Sequence, residues 1–121
     1  MYLNVHSYYS LRYGTASVEH LVGAALYYGI GRMALTDINN TTGSIEFAKA
    51  CFEAGIQPVV GIEFHSDKGL LYIGLARNNH GFMQLNGFLT HHQLHHTDLP
   101  VTAPHLEDVY WIYPLTRDMV L

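Results

Sequence analysis

The sequence predicts an α/β fold, a parallel sheet with helices packed on it, and three observations lead there. Short β-type runs alternate with helical periods along the whole chain. Two stretches, Tyr27–Asp37 (YYGIGRMALTD) and Glu53–Glu63 (EAGIQPVVGIE), repeat one layout: helix end, Gly-Ile, short loop, apolar strand, acidic residue. Finally, 121 residues with 49% hydrophobic and 13% charged content are enough for one ordered core, and no composition shift marks an internal boundary, so residues 1–121 form a single unit. Helices between consecutive strands imply right-handed parallel crossovers, and such sheets carry their functional groups at the carboxyl ends of the strands.

The elements follow in order. The run YLNVH near residues 2–6 is a strand, and SYYSLRYGTA after it carries the Ser, Gly and Thr of a loop. Ser17 has the chemistry of an N-cap, with Glu19 in the first turn; Val18, Leu21, Val22, Ala25 and Leu26 then keep the spacing of a one-faced helix that stops at Gly29. A second strand covers residues 33–36. NNTTG leads into a helix from Ser44 to Ala54, with Ile45, Ala48, Cys51 and Phe52 on its apolar face, ended by Gly55. A third strand covers residues 58–63, LLYIGLA is a fourth, a third helix begins near His80, and VYWIY is a fifth strand.

Charge and cysteine usage narrow the function classes. A formal charge of −4 with 6 Lys+Arg gives no basic footprint, so DNA is reached only through other segments of a parent chain. The single cysteine, Cys51, cannot form an internal disulfide, and MYLNVHS has neither the basic nor the apolar region of a secretory signal. No apolar run approaches the roughly 20 residues of a membrane span. Together these predict a cytoplasmic protein without a membrane partner.

Three polar residues fall at predicted strand ends: His6, Asp37 and Glu63. Imidazole and carboxylates suit zinc, manganese or iron. The same residue types also fit a hydrogen-bonded histidine, a loop-capping aspartate and a paired glutamate, and spacing alone leaves both readings open. THHQLHH sets His91 with His95 and His92 with His96 at i, i+4, a metal-clamping spacing on a helix. With no acid or thiol beside it, a solvated helix end is the expected role. Tyr8-Tyr9 and Tyr27-Tyr28, lacking interleaved Lys and Arg, are expected in the core and at interfaces and not under stacked bases.

VHSYYSLRYG, ALTDINNTTGSIEFAKACFEAGIQPVVGIEF and GLARNNHGFMQL, in that order between Tyr2 and about Leu89, resemble the PHP (polymerase and histidinol phosphatase) domain at the amino terminus of the DNA polymerase III alpha family. There the stretches read H-x-H-S-x-Y-S-x-x-D-G, T-D-H-x-N-x-x-G, K-A-C-x-x-A-G-I-x-P-I-x-G-x-E and H-L-x-x-L-A-x-N-x-x-G. The resemblance implies the first part of a distorted (β/α)7 barrel with parallel strands. In active members, histidines and acids at the strand ends hold a metal cluster that activates water against a phosphoester. His6 keeps the second histidine of the first motif, Asp37 the acid of T-D-H and Glu63 the acid of G-x-E. Asn4 replaces the first histidine, Tyr13 the acid before the glycine, Ile38 the histidine after Asp37, and Leu71 the histidine that opens the fourth strand.

The resemblance therefore implies a vestigial metal site at His6, Asp37 and Glu63, with no cofactor expected beyond weakly held zinc or manganese. It implies a catalytically inactive amino-terminal portion of a replicative DNA polymerase, a nucleotidyltransferase, with structural and subunit-interaction roles. Its partners are the remainder of that polymerase chain and the proofreading exonuclease subunit. The alternatives are an active metal-dependent phosphoesterase, exonuclease or phosphatase-like, and a stand-alone small-molecule-binding or histidine-rich metal-storage protein. The end after DMVL predicts that the native chain continues, and an interrupted barrel would expose an edge through which the chain self-associates.

Overall fold

The computed structural model describes residues 2–5 and 17–114. His6 and Tyr13 lie outside the described residues, as does the Tyr8-Tyr9 pair. The elements run β1 (Tyr2–Val5), α1 (Val18–Tyr27), β2 (Arg32–Ile38), α2 (Ser44–Ala54), β3 (Gln57–Ser66), β4 (Gly69–Ala76), α3 (Asn79–Leu94) and β5 (Val109–Ile112). All five described strands join one sheet in the order β1-β2-β3-β4-β5. The expected strands near residues 2–6, 33–36 and 58–63 are present, and none of the described helices is long and apolar enough to cross a membrane.

The prediction that all strands run parallel needs correction. β1, β2 and β3 are mutually parallel, whereas β3 pairs with β4, and β4 with β5, in the antiparallel sense. The cause is local. Only Asp67 and Lys68 separate β3 from β4, with Ser66 opposite Gly69 and Gly69 at φ 115°. Two residues close a hairpin, while a parallel return needs a dozen or more.

α1 begins as expected: the Ser17 side chain accepts a hydrogen bond from the His20 amide at 3.2 Å. Both α1 and α2 end on left-handed glycines, Gly29 at φ 72° and Gly55 at φ 73°. The apolar faces are narrower than predicted. In α1, Val18, Val22 and Ala25 are buried but Leu26 is exposed; in α2 the buried row is Ser44, Phe47 and Cys51, while Ile45 and Phe52 face outward. The α2 stripe is thus rotated from the predicted one, because Phe47 fills the space over β2 together with Cys51, Met33 and Leu35. Burial pushes the Cys51 thiol up to about 11.

Alternation along each strand divides the side chains between two faces. On one face, Met33, Leu35 and Val60 pack under α1 and α2, and Ile62, Phe64 and Tyr72 pack under α3 with Leu85 and Leu89. The other face carries a smaller cluster of Ala34, Ile73 and Leu75. The α3 side is rich in rings: Phe64 lies 5.5 Å from Tyr72, 5.3 Å from Phe88 and 5.8 Å from Trp111 between centroids. Tyr72 also donates to the Pro100 carbonyl at 2.7 Å, and burial, with a smaller contribution from Tyr113, pushes its phenol up to about 12.

The start of α3 is tied to the segment before β5. Asn78 caps the helix by accepting from the Gly81 amide at 2.9 Å, the Arg77 amide donates to the Asp108 carbonyl at 2.8 Å, and His80 Nδ1 meets Asp108 Oδ2 at 2.6 Å. Helix and loop approach so closely that a Cβ on Gly81 would stand 2.0 Å from the Asp108 carbonyl oxygen. Gly87, six residues later, has open space around its Cα.

Two outcomes are expected. Gly81→Ala should destabilise the chain by about 1–3 kcal/mol, whereas Gly87→Ala should stabilise it by about 0.5–1 kcal/mol, both read from urea denaturation followed by Trp111 fluorescence. The hydrogen bond from His80, more than the weaker one from Asn78, holds the Asp108 carboxyl below its usual value. A folded-state value below the unfolded one contributes stability that is present above the ordinary carboxylate range and lost as pH falls through the folded value. Asp108→Ala should therefore lower the urea midpoint at about pH 7, and the gap should narrow as pH falls below the ordinary carboxylate range.

Candidate functional site

The carboxyl ends of β2 and β3 gather the buried polar residues of the sheet: Thr36, Asp37 and Glu63, with exposures of 0%, 2% and 5%. Their placement follows from register. Thr36 is level with Gly61, Asp37 with Ile62, and Ile38 with Glu63. Level residues share a face and successive residues alternate, so Asp37 leaves on the helix-covered face with Met33 and Leu35, while Glu63 leaves on the other with Thr36 and Ile38. On its β4 side Glu63 is level with Ile73. The acid thus stands between two isoleucines.

Asn39 locks this register. Its backbone takes the left-handed conformation at φ 48°, and its amide donates to the Glu63 carbonyl at 3.0 Å. Its side chain then pairs with the His65 backbone twice, Nδ2 donating to the carbonyl at 2.9 Å and Oδ1 accepting from the amide at 2.9 Å. Asparagine is among the few residues that enter this conformation readily. Its amide also copies the donor and acceptor of a peptide group, so the β2–β3 ladder runs beyond the last strand residue.

His65 stands two residues after Glu63 and so on the same face. Its Nε2 lies 2.6 Å from Glu63 Oε1, with the imidazole 17% and the carboxyl 6% exposed. An ionised carboxylate only accepts, so Nε2 carries the hydrogen of this bond. The imidazole borders a cavity of about 660 Å³ at the turn end of the β3–β4 hairpin, where Lys68, Leu71, His92 and Gln93 also contribute to the wall. Gln93 reaches across to the Asn39 carbonyl at 3.3 Å, connecting α3 to the strand ends.

Sequence reasoning placed Asp37 and Glu63 correctly at strand ends and did not weigh His65 or Asn39. The signal for His65 was present: in GIEFHS, alternation alone puts it beside Glu63. Of the positions that would have to contribute donors, Ile38 and Leu71 have hydrocarbon side chains, and Leu71 packs against the aromatic cluster of β3 and β4. Among the described residues, no group of three or more His, Cys, Asp or Glu side chains is arranged to hold a metal ion. Glu63 and His65 are chemically suited to a divalent ion; among the described residues, the level neighbours of Glu63, Ile38 and Ile73, add no ligand.

A mixed sheet with helices on one face and buried acids at the carboxyl ends of its parallel strands defines an α/β protein of the strand-end-site class. The chain belongs to the PHP domain family, whose profile matches residues 3–116. It is 36% identical over 90 residues to an error-prone DNA polymerase of Symbiobacterium thermophilum, an alignment covering 74% of this chain and 8% of that protein. It is 40% identical over 91 residues to the DNA polymerase III subunit alpha of Bacillus subtilis, covering 70% and 8%. The chain thus spans about a twelfth of these relatives. Among solved structures, an amidohydrolase from Chromobacterium violaceum with bound sulfate and no metal superposes with a TM-score of 0.56 at 24% identity, covering 77% of this chain and 34% of that one. A proposed metal-dependent phosphoesterase from Bifidobacterium adolescentis gives 0.54 at 22% identity, covering 72% and 32%. These two likenesses establish the fold.

Removing the imidazole in His65→Ala should cost about 1–3 kcal/mol, because the nearly buried Glu63 carboxylate loses a short hydrogen bond. Asn39→Ala should cost a similar amount, about 1–3 kcal/mol, by breaking two side-chain hydrogen bonds and straining a left-handed backbone. Urea midpoints of the two variants against the parent chain check both values.

Proposed function

We propose that this chain is the amino-terminal part of the PHP domain of a bacterial replicative DNA polymerase alpha subunit, and that it serves structure and subunit contact, not hydrolysis. The observation that carries this reading is the setting of Glu63. Its level neighbours are Ile38 and Ile73, and its carboxylate takes a 2.6 Å hydrogen bond from His65. In the active family pattern a histidine stands where Ile38 is and another where Leu71 is. In this reading a carboxylate of this chain has an intramolecular hydrogen-bond donor where active members have neighbouring metal ligands. Donor sets that lose several members lose metal affinity steeply.

In this reading the remainder of the polymerase chain completes the distorted (β/α)7 barrel, and the proofreading exonuclease subunit is a candidate partner in the cytoplasm. Outward-facing apolar side chains support such contacts: Tyr27 is 83% exposed, Ile45 79% and Phe52 75%. Nucleotidyl transfer belongs to other segments of the parent chain, and DNA is engaged through them. Self-association is the expected behaviour of the chain when those segments are missing.

A second reading, an active metal-dependent phosphoesterase, draws on the likeness to the Bifidobacterium adolescentis protein and on the surviving acids. One experiment separates the two. Protein purified without chelator is analysed for bound metal, then assayed on a phosphodiester with added Mn²⁺ or Zn²⁺. The structural reading expects no stoichiometric ion and no turnover. Turnover that disappears in Glu63→Gln or His6→Ala would establish the enzyme instead.

A further inference from the structure

The carboxyl end of α3 holds four histidines that the strand-end site does not use as a group. His91 and His95 are both exposed, one helical turn apart, with ring centres separated by 4.5 Å and ring planes inclined at 62°. Side chains at i and i+4 share a face of a helix, and the adjacent His92 ring stands further from His91, edge-on at 5.3 Å. His92 is accordingly committed elsewhere: its Nδ1 lies 2.8 Å from Thr97 Oγ1 and its ring stands edge-on to Phe88 at 4.9 Å.

We propose that His91 and His95 form a two-imidazole chelate for a tetragonal transition-metal ion, copper(II) or nickel(II), independent of the strand ends. The ring separation is compatible with this geometry. An ion about 2.0–2.1 Å from one nitrogen of each ring lies roughly 3.2 Å from each ring centre, so a right-angled pair of ligands puts the centres about 4.5 Å apart. The wider tetrahedral angle favoured by zinc would need roughly 5 Å. The observed 4.5 Å, in an edge-to-face contact between the rings, equals the span of the right-angled pair, and a change of side-chain torsion would turn one nitrogen of each toward a common ion. Imidazole is a good ligand for both ions, so no acid or thiol is required, and water completes the coordination.

Position adds to the attraction. His95 is the C-cap of α3, at the negative end of the helix dipole, and a cation there is stabilised. Since no three His, Cys, Asp or Glu side chains converge among the described residues, the site is bidentate, and its affinity depends on both rings together.

The test is titration of copper(II) and, separately, nickel(II) into the whole chain by calorimetry, with electron paramagnetic resonance of the copper complex. The expected result is one ion per chain, a spectrum with nitrogen ligands, and at least tenfold weaker binding in both His91→Gln and His95→Gln. His92→Gln and Glu63→Gln should bind as the parent does. A double variant, Thr90→His with His95→Gln, keeps the histidine count but puts the second ring off the shared face, and it too should lose at least tenfold. Circular dichroism confirms that each variant retains its helices, and the exposed positions make that the expected outcome. Absence of binding in the parent, binding that survives His91→Gln and His95→Gln, binding restored in the double variant, or loss confined to Glu63→Gln would each overturn the proposal.

Discussion

The register between β2 and β3 is the constraint on which the functional end of the molecule depends. Three hydrogen bonds from Asn39, one from its amide and two through its side chain, hold the strands level past their last paired residues. Because side chains alternate, that register decides which groups can meet. It sets Glu63 beside Ile38 and sends Asp37 to the helix-covered face, and it brings His65 over Glu63. A slip of one residue would exchange the faces and bury isoleucines where the acids now lie. The site is therefore a property of backbone pairing before it is one of side-chain chemistry.

The change of strand direction after β3 organises the rest. Among the parallel strands, β2 and the start of β3 are covered by α1 and α2 with aliphatic side chains packed around Phe47, whereas the antiparallel β3–β4–β5 side is covered by α3 with a filling of rings. β3 belongs to both halves and is the longest of the described strands, Gln57–Ser66. It carries Val60 into the first filling and Ile62 and Phe64 into the second. The strand that connects the two halves is also the one that presents Glu63 and His65, so packing on either side of it bears on the position of the acid.

Much of this was legible in the residues. Ser17, Gly29, Gly55 and the repeated Gly-Ile-strand-acid pattern marked α1, α2, β2 and β3 because capping and breaking chemistry is local. The hairpin was less legible: Asp67-Lys68-Gly69 is a turn signal, but the preceding βα rhythm suggested another parallel strand. The α2 face was misplaced because Ile45, Phe52 and Phe47 are all apolar, and only contact with β2 decides which of them turns inward. His65 and Asn39 escaped notice because their roles come from cross-strand geometry. Asn39 needs a neighbour 26 residues away to reveal its purpose.

The lone cysteine has a practical consequence. Cys51 is fully buried beneath α1 and β2, and its thiol is held at about 11, so very little reactive thiolate exists while the core is closed. An alkylating reagent gains access only when α2 lifts from the sheet. With no second thiol in the chain to confuse the signal, the rate of mass gain becomes a clock for that opening. It reports how firmly the first helical layer is seated, and slower labelling when another protein segment covers α2 would register that contact without any engineered probe.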